Sequence, residues 1–105
     1  MSDSSESFKE LYEKLSAIAS KDAMSRYLDT AKSALKTKDY KTAIEYYKKA
    51  YELDETNSDN LMALAYAYRE SGDKEKADEM YNKVISDFAG SENALDAAEY
   101  ITGQD

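Results

Sequence analysis

Leu61–Tyr81 reads LMALAYAYRESGDKEKADEMY. Leu61, Leu64, Ala65 and Tyr68 recur at i, i+3, i+4 and i+7, the spacing of one helix face. Ser58 opens that helix. Ser71-Gly72-Asp73 breaks it, because serine, glycine and aspartate together favour a turn over a continued helix. Asp73 then opens a second apolar stripe of Ala77, Met80, Tyr81, Val84, Ile85 and Phe88. The stretch is therefore two amphipathic helices joined by a tight turn.

The same pattern continues in both directions. Phe8, Leu11, Tyr12, Leu15, Ile18 and Ala19 form one stripe, with Ser7 and Glu10 spaced as a capping box. Tyr27, Leu28, Ala31, Ala34 and Leu35 form another. Ala43, Tyr46, Tyr47, Ala50, Tyr51 and Leu53 follow, with Asp39 as N-cap. Beyond Phe88, Ser91 opens a last stripe of Ala94, Ala97, Ala98 and Ile101. The breakers are KTKD, DETNS, SGD and AGS. The chain has no proline and only three glycines. These features predict an all-α domain of about six helices and no strands.

The pattern is also periodic. Residues 24–57 laid on residues 58–91 bring six identities into register: Ala31/Ala65, Asp39/Asp73, Ala43/Ala77, Glu45/Glu79, Tyr47/Tyr81 and Lys49/Lys83. The matched alanines fall where two helices must approach closely. The matched tyrosines fall where a gap must be filled. Apolar character carries over at Tyr27/Leu61, Tyr46/Met80, Ala50/Val84 and Tyr51/Ile85.

On these residues the chain resembles the tetratricopeptide repeat (TPR) family, whose unit of about 34 residues is a helix–turn–helix with the pattern W-x2-L-G-x2-Y, A-x3-F and P. Leu61, Leu64, Ala65 and Tyr68 stand at the first four positions, and Ala77 and Tyr81 at the next two. Tyr27, Thr30, Ala31, Ala34, Ala43 and Tyr47 are their counterparts in the earlier copy. Glu55 and Ala89 replace the proline. The resemblance implies a right-handed superhelix of antiparallel helix pairs. It divides the chain into a disordered stretch 1–6 and a single domain 7–105. Within that domain, 7–20 is a degenerate repeat helix, 24–57 and 58–90 are two repeats, and 91–102 is a cap or partial third repeat. A register shifted by one residue in 91–102 buries Ala94, Ala97, Ala98 and Ile101 together.

Composition narrows the function. The 105 residues carry a formal charge of −8, which opposes nucleic acid and anionic membrane as partners. The mean hydropathy is −0.81, and no apolar run is long enough for a membrane span. MSDSSESFKE shows neither a basic nor an apolar signal region. Histidine and cysteine are absent, which removes thiolate chemistry and His-based metal or acid–base sites. Glu45 and Lys49 are spaced as a helix-stabilising pair. Asp54–Asn60 (DETNSDN) resembles a calcium loop, but the glycine at its sixth position is missing and Ala65 stands where a bidentate glutamate is needed. The expectation is a non-catalytic chain with no cofactor and no metal.

The resemblance implies a protein or peptide partner, held along a concave face built from the first helix of each unit. Its register places Leu28, Lys32, Met62, Tyr66, Arg69 and Leu95 on that face. Tyr, Arg and Met are types enriched at interface centres. Co-chaperone members grip a carboxylate with lysines, asparagines and an arginine. Here those positions hold Leu28, Lys32, Ala63, Asn93 and Ala97, so the resemblance does not extend to chaperone-tail binding. Tyr81–Ala97 (YNKVISDFAGSENALDA) is similar to a helix junction of bacterial cell-envelope members. The rival expectation is self-assembly, because open-ended helical stacks can pair into a homodimer. Among the tyrosines of Asp39–Asn57, Tyr47 is assigned to packing, Tyr46 and Tyr51 to partial burial, and Tyr40 to exposure.

Overall fold

The computed structural model describes residues 3–102, with side chains described from Lys9 onward except Ala17. It contains α1 (Asp3–Lys36), α2 (Tyr40–Leu53), α3 (Ser58–Ser71), α4 (Lys74–Asp87) and α5 (Glu92–Thr102). No strand occurs among the described residues. Each helix packs against the next in the chain, and α3 also touches α5.

The caps follow from side-chain chemistry. The Asp39 carboxylate accepts a hydrogen bond from the Thr42 amide at 3.3 Å, and Asp73 accepts from Lys76 at 3.2 Å. Each satisfies an amide that the first helical turn leaves without a partner. Ser91 does the same for Ala94 at 3.1 Å. At α3 the cap is Asn57 rather than the expected Ser58: its side-chain oxygen accepts from Asp59 and Asn60. Ser7 is no cap either, because α1 runs straight through it.

The α1–α2 and α3–α4 turns share one hydrogen-bond pattern. Asp39 donates to the Ala34 carbonyl and Lys38 to Leu35; Asp73 donates to Tyr68 and Gly72 to Arg69. This paired closure needs a left-handed residue just past the helix. Gly72 supplies it at φ 94°, and Lys38 supplies it at φ 63°.

Alanines let the helices approach. Ala31, Ala43, Ala65 and Ala77, the four that coincide under the 34-residue shift, are all fully buried. Tyr47 and Tyr81 fill the spaces beside them, with Leu61, Leu64 and Val84 completing the core. Asn60 is the one buried polar residue among those described. Its amide donates to the Ala50 carbonyl at 3.3 Å and to the Met24 sulfur at 3.2 Å, tying α3 to α2 and α1. Tyr46 and Tyr51 are half-buried; so is Tyr40, where exposure was expected.

The expected sixth helix is not separate. Residues 7–20 and 24–36 form one continuous α1, because nothing between Ala19 and Arg26 interrupts a helix. The four breakers make five helices. Residues 7–20 therefore do not fold back as the second helix of a preceding unit, and Leu11, Tyr12, Leu15 and Ile18 stand exposed. The disorder expected of residues 1–6 lies outside the described residues at 1 and 2, and α1 already begins at Asp3.

Candidate partner-binding face

Met62, Tyr66 and Arg69 occupy one face of α3 at i, i+4 and i+7, the geometry that lines side chains along a helix. Met62 is half-buried and packs on the core. Tyr66 is 44% exposed, and Arg69 is exposed. On α1, Leu28 and Lys32 share a face at i, i+4. Leu28 packs on the core, and Lys32 lies in solvent. Leu95 on α5 is 68% exposed. Four of the six sequence-derived candidates thus present accessible side chains, while Leu28 and Met62 double as packing.

The direct contact of α3 with α5 brings in a residue absent from that set. Tyr100 stacks on Tyr81 with ring centroids 5.1 Å apart and planes at 17°. The Arg69 guanidinium lies over the Tyr100 ring, 5.2 Å from its centroid. An arginine on an aromatic face is held by the ring quadrupole, about 0.5–1 kcal/mol at an exposed site. Arg69 is thereby oriented while its donors stay accessible. The signal for Tyr100 was its aromatic character on a helix otherwise read through its alanines. α5 turns Ala94 and Ala97 inward and leaves Leu95 and Glu99 outward, the face of the one-residue-shifted register.

Below this surface sit two buried phenols. Burial raises the Tyr81 pKa above its usual value; Arg69 opposes the rise, and Tyr100 and Tyr66 add to it. Burial also raises Tyr47, again with a contribution from Tyr66. The Tyr81 hydroxyl is buried without a hydrogen-bond partner among the described residues; the nearby Arg69 does not meet it in hydrogen-bonding geometry.

Asn93, one of the positions compared with the carboxylate grip, is engaged within the chain. Its amide donates to Ser58 Oγ at 2.8 Å and Asp59 Oδ1 at 2.7 Å, pinning α5 to the start of α3. In the calcium-like loop, Asp54 accepts from the Thr56 amide and Asn57 caps α3, so these side chains serve the turn. The described residues hold no cluster of three or more His, Cys, Asp or Glu arranged to bind a metal ion, and no helix among them is long and apolar enough to cross a membrane.

The family model described as tetratricopeptide repeat matches residues 34–99. The match runs from the last residues of α1 into α5, and so takes in the second helix of the first copy and the whole of the second copy.

Proposed function

Because the chain belongs to the tetratricopeptide repeat family, we propose that it captures a peptide segment of a partner protein on the face formed by Lys32, Tyr66, Arg69 and Leu95, flanked by Leu28 and Met62. Repeats of this family generally mediate protein–protein interaction and scaffolding, and are generally non-catalytic. The observation that carries the reading is the Tyr66–Arg69–Tyr100 surface on α3 and α5. Two partly exposed tyrosines flank an arginine already held over a ring. Aromatic and arginine anchors held in place lose little side-chain freedom on binding, which makes them efficient interface centres.

The chemistry favours a segment with apolar side chains and at least one acceptor for Arg69. Leu28, Met62 and Leu95 offer apolar contact, and Lys32 and Arg69 offer two cations on a chain that is otherwise acidic. Panning a random peptide library on the immobilised chain tests the reading. Enriched peptides should lose binding to Tyr66→Ala/Arg69→Ala at unchanged melting temperature. Peptides that bind this variant as well as wild type would place the site elsewhere. Leu28 and Met62 are poor probes, since both pack on the core.

A further inference from the structure

The N-terminal half of α1 carries an apolar face that the body of the molecule does not cover. Leu11 is 54% exposed, Tyr12 73%, Leu15 57% and Ile18 64%. These residues line one side of about two helical turns. Scattered exposed leucines are ordinary on a protein surface, but a contiguous stripe marks an interface.

Every side chain described from Lys9 to Asp22 is exposed, whichever way it faces, and helix geometry turns the stripe further from the body. The body-facing side of α1 is set by Met24, Tyr27, Leu28, Ala31, Ala34 and Leu35. At about 100° per residue, Leu11 and Leu15 point roughly 160° away from Ala31. The two apolar faces of this single helix therefore lie on opposite sides. A break near residues 20–23 would be needed to bring both onto the body, and α1 has none. Where the same outward side continues along α1 it becomes Asp22, Ser25 and Asp29, all exposed. The apolar face ends with the arm, and none of the described helices covers it.

Charge selects that occupant. Residues 9–22 contain Lys9, Lys14 and Lys21 against Glu10, Glu13 and Asp22, a balance of zero in a chain of −8. The arm is thus a segment at which a second, equally acidic copy can dock without charge repulsion. We propose that the chain self-associates through this arm, residues 9–22 of one copy packing antiparallel on the same segment of another. The stripe exposes on the order of 500 Å² per copy, so two face to face bury about 1,000 Å², the lower limit of a specific interface. Antiparallel pairing also sends the two acidic bodies to opposite ends of the arm. A 14-residue helix separates them by about 20 Å, beyond the screening length of about 8–10 Å in physiological salt.

Sedimentation of the full chain over a wide concentration range tests this. The mass should rise from 11.8 kDa towards twice that value. Leu15→Glu/Ile18→Glu should stay monomeric throughout, with unchanged helix content. Tyr66→Ala/Arg69→Ala should associate like wild type, which separates the arm from the partner-binding face. A wild type that remains at monomer mass, or an arm variant that associates equally well, overturns the proposal. A nitroxide on Ser20→Cys reports orientation. The antiparallel pair places the two labels about 14 Å apart along the axis, whereas labels in near contact overturn the antiparallel arrangement.

Discussion

Lys38 and Gly72 stand 34 residues apart in the same left-handed backbone conformation, at φ 63° and 94°. Each closes its helix with the same pair of backbone hydrogen bonds. Only Gly72 does so without a Cβ in the way. A non-glycine residue there is strained by roughly 1 kcal/mol. Lys38→Gly should therefore stabilise the fold by about 0.5–1 kcal/mol, read as a higher urea midpoint at unchanged slope. Gly72→Ala should lower stability by a similar amount. A Cβ at Gly72 would meet nothing within 4 Å, so that loss would be backbone strain alone.

That pair also shows what sequence can and cannot reveal. The repeat was legible because alanine and tyrosine recur where helices touch, and the touching is what constrains them: Ala31, Ala43, Ala65 and Ala77 all lie fully buried. Both turns are legible, one from Gly72 and the other from KTKD and Asp39, but nothing marks Lys38 as the left-handed residue, since lysine has no left-handed preference. The continuity of α1 followed from a missing breaker, yet a repeat-based reading imposes a break there. Of the binding face, Tyr66 and Arg69 were reached by register. Tyr100 was not, because its role arises from the contact of α5 with α3, and no local pattern encodes that.

The Tyr81 hydroxyl is buried with no hydrogen-bond partner among the described residues. An unsatisfied buried polar group costs about 1–3 kcal/mol, so its removal recovers part of that. Tyr81→Phe keeps the ring and its stacking on Tyr100. It should be neutral or stabilising by up to about 1 kcal/mol in thermal or chemical denaturation. A loss above about 1 kcal/mol would mean that the hydroxyl has a partner after all, such as Arg69.

Alkaline pH should unfold the chain through the same phenols. Burial raises the pKa of Tyr81 and Tyr47 in the folded state above the usual value near 10. Raised folded values mean that the stabilisation is fully present below pH about 10 and is lost as pH climbs through the folded pKa values. Tyr47→Phe/Tyr81→Phe removes the two ionisations. Its stability should fall less steeply than that of wild type above pH about 10, with the two profiles parallel at neutral pH. Circular dichroism along a pH series in fixed urea reads the difference.

The Asn60 side chain is the only polar one buried among the described residues, and it joins three helices at one point. Its amide reaches the Ala50 carbonyl of α2 and the Met24 sulfur of α1. Asn60→Ala removes both contacts and opens a small void where α3 meets its neighbours. A buried hydrogen bond lost together with packing should cost about 1–3 kcal/mol. The loss should fall on the root of the α1 arm. Amide hydrogen exchange should therefore accelerate around Met24 and Ala50 more than in α4 and α5. A uniform acceleration across all five helices would instead mean that Asn60 supports global stability alone, and that α1, α2 and α3 are not joined at this point.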